Sequence, residues 1–237
     1  MGNCSAPLTY RVCIMNGTSI LDSVHENNEV HMEKRPSAGV VLAAGMSVRL
    51  GRPKQLVDVG GRPMLARVLG AALSSGLEAV VLVLGHEAEG IKGALKKELA
   101  DPRLRTLLNS KYREGISSSL RAGLLPLVDD FPSVMFLLGD QPFMDARTIN
   151  LLLERFWSSD KDICVPVCQG ERGNPVVFSR RFYGEILELT GDTGARGIIR
   201  ANPERVLQVE IQDPRHFLDI DLEEDARRLG AERIETA

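Results

Sequence analysis

The sequence predicts an α/β protein built on a mostly parallel sheet, and three observations carry that expectation. Uncharged runs rich in Val, Leu and Ala recur at residues 39–44, 79–84 and 134–138, each with the length of a strand buried on both faces. Segments whose apolar residues have helical spacing lie between them, which sets up a β-α-β rhythm. The chain has 237 residues, 43% of them hydrophobic and 26% charged, as expected of one ordinary globular domain.

Composition narrows the function classes. A formal charge of −3 argues against coating of nucleic acid, which needs a clustered basic excess. Cys4, Cys13, Cys164 and Cys168 show no Cys-x-x-Cys spacing, and the last two lie in an apolar run. Buried thiols in a reducing cytoplasm are therefore expected, not a metal or redox pair. No run reaches the roughly 18 apolar residues of a membrane span, so neither membrane nor nucleic acid is an expected partner.

Residues 1–37 show neither helical nor strand periodicity and read as a loose extension, the folded domain being 38–237. Met32, a few residues before the first strand, would also make a natural beginning. The opening Met-Gly-Asn-Cys-Ser-Ala lacks the Ser or Thr that a myristoylation site wants at its sixth position. After the first strand, Gly45 lets the backbone turn sharply. Ser47, Arg49 and Lys54 then follow, so one loop presents a hydroxyl, backbone N–H groups and two fixed positive charges to a polyanion. It is not a Walker A loop, because Gly45 and Gly51 are six apart and Lys54 lies three further on. Nor is it a dinucleotide fingerprint, because positions 45, 47 and 50 read Gly, Ser and Leu.

Pro63 starts a helix with Met64, Leu65, Val68, Leu69, Ala72 and Leu73 on its apolar face, closed by Gly76. A second strand over 79–84 turns at Gly85 and His86 into a helix marked by Ile91, Leu95 and Leu99, which Pro102 ends. A third strand over 104–108 ends at Asn109. Ser117, Ser118 and Ser119 then open a helix, either offering N–H and hydroxyl groups to an anion or nucleobase or simply capping it through Ser117. The strand over 134–138 delivers Asp140 between Gly139 and Pro142. Ligands of an open parallel sheet bind outside the carboxyl ends of its strands, so Asp140 and the loop after Ala44 should face one crevice. A metal bridging carboxylate and triphosphate would suit that carboxylate.

Asp145 can cap a helix carrying Ile149, Leu152, Leu153 and Phe156. Strands over 164–167 and 175–178 flank a turn over 169–174. Asp192 is positioned to cap a helix that begins near Arg196, which could hold a phosphate or pair with an aspartate. A last strand is expected over 217–221, with a helix over 223–229. Alternation would point Asp219 and Asp221 the same way, and Asp221 is nearer the loop end. His86 and His216 read as structural or solvent-facing.

The string Leu42-Ala43-Ala44-Gly45-x-Ser47-x-Arg49-Leu50-Gly51-x-x-Lys54 resembles the signature of the nucleotidyltransferases that activate the molybdenum cofactor, the MobA/MocA-like family. The runs starting at Gly115, Gly139, Gly173, Gly191 and Asp219 follow in the family's order, with Leu222 and Glu223 replacing a Thr-Pro pair after Asp221. The resemblance implies a Rossmann-like three-layer α/β/α nucleotidyltransferase fold. It also implies transfer of CMP from CTP to the phosphate of Mo-molybdopterin, the Ala43-Ala44 pair going with CTP where guanylyl relatives carry Gly-Gly. Arg49, Lys54 and Asp140 would be catalytic. The substrates would contact Leu42, Ala43, Ala44, Gly45, Ser47, Arg49, Lys54, Gly85, Asn109, Ser117, Ser118 and Ser119, with Asn174 and Arg196 on the acceptor side. Mg²⁺ would sit on Asp140 and Asp221, and a molybdenum hydroxylase apoenzyme would be a downstream partner. Two other readings stay open: another phosphorylated acceptor such as a sugar phosphate, and a non-catalytic molybdopterin-binding chaperone.

Overall fold

A computed structural model describes residues 35–45 and 53–220. The expectations for residues 1–34, for Ser47 and Arg49, and for Asp221 with the helix after it lie outside the described residues.

Four strands form the parallel half of the sheet: β1 (Ser37–Ala43), β2 (Ala79–Leu84), β3 (Leu104–Leu108) and β4 (Ser133–Leu138), in the order β3-β2-β1-β4. The remaining strands are β5 (Ile163–Cys168), β6 (Glu171–Arg172), β7 (Val176–Ser179) and β8 (Val206–Glu210). β7 runs antiparallel between β4 and β5, and β6 extends the same edge of β5, while β8 lies parallel to β5 on its other edge. Register places the site. Leu42 pairs with both Val83 and Leu138, and Ala43 with Leu84. The chain therefore leaves β1, β2 and β4 at nearly one level, Gly85 falling beside Ala44 and Gly139 beside Ala43.

Helices α1 (Met64–Leu73), α2 (Ala88–Ala94) and α4 (Ala146–Trp157) cover one face, and α3 (Ile116–Leu124), α5 (Tyr183–Leu187) and α6 (Arg196–Ala201) the other. The two cores divide by strand alternation. Val41 and Ala43 pack with Leu65, Leu69, Ile91 and Phe156, whereas Ala38 and Val40 pack with Leu120, Leu124 and Phe136. α3 lies close to the sheet because a Cβ on Gly123 would overlap the Val40 and Val83 side chains. Phe178 is fully buried and meets Phe136 and Phe182 edge-on, with ring centroids 6.1 and 6.2 Å apart. Phe178→Ala is expected to lower unfolding free energy by about 3–5 kcal/mol, read from the urea midpoint at unchanged m-value.

The three-layer α/β/α class agrees with the sequence reading, and three details correct it. The helix expected to run to residue 100 stops at Ala94, because Gly90 and Gly93 weaken it. Leu99 sits instead on a separate turn, Glu98–Ala100, where buried Glu98 accepts from Arg62 at 2.9 Å. Residues 217–220 are not a strand: Pro214 opens a 3-10 turn, Pro214–Phe217, capped by Asp213. The strand of that region is β8, in which Leu207 and Val209 alternate with Gln208 and Glu210.

Asp145 caps α4 as the sequence suggested, its carboxylate accepting from the Thr148 N–H at 2.8 Å. Burial pushes its pKa up, but the Thr148 bonds and the nearby His216 and Arg147 charges outweigh it and hold the group below its ordinary 3.8. Its contribution to stability is thus complete above the unfolded value and is lost as pH falls through the lower folded value. Asp145→Ala is expected to cost about 1 kcal/mol at neutral pH. That difference should shrink in urea titrations as the pH falls below the folded value.

Candidate active site

A cleft of about 510 Å³ opens over the carboxyl ends of β1 and β4. Its floor is residues 42–45 and 138–140, one side is Lys54 and Gln55, and the opposite side is residues 112–116 with Ser119 and Asp192. Lys54 arrives on a 3-10 turn, Lys54–Leu56, and its Nζ donates to Asp140 Oδ2 at 2.7 Å. Both side chains are about one-quarter exposed, at 22% and 24%. Two residues far apart in sequence thus meet as the strands end.

The surrounding chain holds this pair from below. Gly139 N–H donates to the Leu42 carbonyl at 2.9 Å, tying β4 to β1 as they end. Arg67 of α1 donates to the carbonyls of Val59 and Pro142 at 3.0 and 3.3 Å, linking the segment after Lys54 to the segment after Asp140. Val57, Val59, Met64, Phe143 and Ile220 form a small core of their own beneath the two segments. Ile220 N–H donates to the Asp140 carbonyl at 3.1 Å, so the last described residue lies at the end of β4. Asp219 is exposed and accepts from Gln141 at 2.8 Å.

The opposite wall departs from the sequence reading. Gly115, at φ +101°, caps α3, and a Cβ there would collide with the backbone of Gly191 and Asp192. The serines are buried and mostly bonded inward. Ser117 Oγ donates to the Gly191 carbonyl at 2.6 Å, and Ser118 Oγ to the Gly115 carbonyl at 2.8 Å. Asn109 donates to the hydroxyls of Ser118 and Ser119 at 2.8 and 3.0 Å. Of these four residues only Ser119 lines the cleft. Asp192 caps α3, not α6, by accepting from Ile116 N–H at 3.1 Å; Ala195 occupies the cap position of α6.

Gly85 backs the cleft, because a Cβ there would meet the Ala44 carbonyl and the Tyr112 side chain at 2.6 and 2.8 Å. Arg196 is exposed at the start of α6 and Asn174 is half-buried before Pro175; neither lines the cleft. Sequence reasoning missed Tyr112, Arg113 and Glu114. They form a turn in which Arg113 lies 5.6 Å from the Tyr112 ring centroid and His86 meets that ring edge-on at 6.1 Å. Their position between a strand end and a helix start was the available signal.

Among the described residues no group of three or more His, Cys, Asp or Glu is arranged to hold a metal. Asp140 is a hard oxygen donor on the cleft floor, which suits Mg²⁺, an ion that takes one or two carboxylates and completes its shell with phosphate oxygens and water. Cys164, by contrast, is fully buried and its thiol is pushed up to about 12 by burial, so it is inert as a nucleophile. No helix among the described residues is long and apolar enough to cross a membrane.

Strand order, helices on both faces and a lysine–aspartate pair over the carboxyl ends of β1 and β4 define an α/β protein of the Rossmann-like class. Residues 39–206 match the MobA-like NTP transferase domain, and the chain belongs to that family. Rv0371c of Mycobacterium tuberculosis H37Rv is similar at a TM-score of 0.73 and 29% identity, over 84% of this chain and all of that one; a manganese complex of it is also similar, at a TM-score of 0.67. A curated relative, nicotine blue oxidoreductase of Paenarthrobacter nicotinovorans, is 29% identical over 81% of this chain and 95% of its own length. The bifunctional protein GlmU of Sorangium cellulosum is 35% identical over 49% of this chain, and the matched part is 25% of that protein. The chain thus spans about a quarter of that relative's length.

Proposed function

We propose that the protein is a Mg²⁺-dependent cytidylyltransferase that transfers CMP from CTP to the phosphate of Mo-molybdopterin, giving molybdopterin cytosine dinucleotide and pyrophosphate. The observation that supports this best is Lys54 on Asp140 at 2.7 Å, beside an Ala43-Ala44 strand end in a MobA-like chain. An acceptor phosphate oxygen would attack the α-phosphorus in line; the new O–P bond forms as the bond to the β-phosphate bridging oxygen breaks, and pyrophosphate leaves with that electron pair. The acceptor is already an anion, so no general base is needed, and catalysis rests on alignment and charge neutralisation.

In this reading Lys54 neutralises charge developing at the α-phosphate, while Arg49 and the loop backbone after Gly45 hold the β- and γ-phosphates. Asp140, with Asp221, would hold Mg²⁺, which would supply positive charge to offset that of the triphosphate. Arg196, exposed at the start of α6 and outside the cleft lining, would hold the acceptor phosphate.

A second reading comes from the relative named an oxidoreductase, which matches over 95% of its own length. The lack of a Gly-x-Gly-x-x-Gly turn after β1 weighs against nicotinamide dinucleotide binding through that device. The test is pyrophosphate release with Mg²⁺ from each of the four ribonucleoside triphosphates, with Mo-molybdopterin or a sugar phosphate as acceptor. A strong preference for CTP with Mo-molybdopterin is expected. Equal use of all triphosphates would sink the cytidylyl claim, sugar-phosphate preference would move the acceptor, and binding without turnover would favour the chaperone. Cofactor-dependent dye reduction without pyrophosphate release would favour the oxidoreductase.

A further inference from the structure

We infer that Gln55 is a positioning residue of the triphosphate site, an inference that rests on the nucleotidyltransferase reading. Gln55 follows Lys54 directly, and only 3% of it is exposed, at the side of the cleft. Its Nε2 donates to the carbonyls of Ala43 and Gly45 at 3.0 and 3.3 Å. Both partners are pure acceptors, so the amide nitrogen must face them. The two carbonyls bracket the point where β1 stops and the loop begins, the last sheet partners being Ala43 and Leu84.

A buried amide costs free energy unless it is bonded, so this residue type at this depth calls for a reason that an apolar residue would not meet. The geometry supplies one. Carbonyl oxygens turned into the cleft would repel a polyanion; bonded to Gln55, they are held toward the protein. The peptide is planar and trans, so the N–H that follows a carbonyl points the opposite way. Fixing the Ala43 carbonyl therefore also fixes the direction of the Ala44 N–H. The same two bonds brace the Lys54 turn against β1, so the ammonium keeps its place relative to the strand end.

The substitution Gln55→Glu has the right shape and the wrong polarity, since a carboxylate accepts only and would repel both carbonyls. Gln55→Met keeps length and burial and removes the donor. Calorimetric titration with Mg²⁺-CTP and with CMP, alongside thermal unfolding, separates positioning from packing. Gln55→Glu is expected to weaken Mg²⁺-CTP about tenfold or more and CMP by less than about threefold, with Gln55→Met between it and the native chain. Equal losses for CTP and CMP, or native CTP affinity in a folded Met variant, would overturn the inference. Failure of the native chain to bind any triphosphate is a different result, and it would remove the parent reading together with this one.

Discussion

Asp140→Asn should leave a folded protein whose nucleotidyl transfer is lower by about 10³-fold or more, the scale on which charge-stabilising groups act at transferring phosphates. The amide keeps the carboxylate's shape and its oxygen can still accept from Lys54, so the local packing is preserved. It removes the negative charge that a divalent cation requires. Asp140→Ala should be equally inactive and slightly less stable, because Lys54, 22% exposed in its side chain, loses its 2.7 Å partner; partly exposed pairs contribute roughly 0–1 kcal/mol. Steady-state rates and thermal unfolding together decide the matter. A variant with near-native rate would remove Asp140 from the metal site.

Lys54→Met is expected to lower kcat by about 10²–10³-fold, the loss typical of deleting one donor to a developing charge. Stability should change by no more than about 1 kcal/mol. The same variant should bind Mn²⁺ alone at least as tightly as the native chain, because the ammonium that competes for the Asp140 carboxylate is gone. A kcat loss matched by an equal collapse in stability would mark Lys54 as structural. Weaker Mn²⁺ binding would show that Lys54 supports the carboxylate's geometry and does not compete for it.

How well the sequence served depended on the range of the contacts involved. The strands at 79–84 and 104–108 could be bounded to the residue, because Gly85 ends the first and Pro102 and Asn109 flank the second. Asp145 as a cap was equally legible, since its partner lies three residues on. The serine run was not. Its pattern is the same whether α3 offers its first N–H groups to a ligand or to the protein, and the choice is made by Asp192, 76 residues away from Ile116. In sequence the helix after β2 looks continuous, because Ile91, Leu95 and Leu99 keep their spacing across the break between Ala94 and Glu98. β8 carries a weaker signal than the continuous apolar runs of the parallel half, because of its five residues only Val209 is buried beside β5. The sequence places Asp140 and the loop after Ala44 at one crevice, but the direct Lys54–Asp140 ion pair depends on the register of β1 against β4.

The most direct test is a crystal structure of the protein with CTP, or a non-reacting analogue of it, and Mg²⁺. The ion is expected about 2.0–2.1 Å from an Asp140 carboxylate oxygen, with the triphosphate in the cleft and the Lys54 ammonium turned from Asp140 to the α-phosphate. Nucleotide bound elsewhere, or bound while the ion avoids Asp140 and the Lys54–Asp140 pair stays closed, would contradict the assignment.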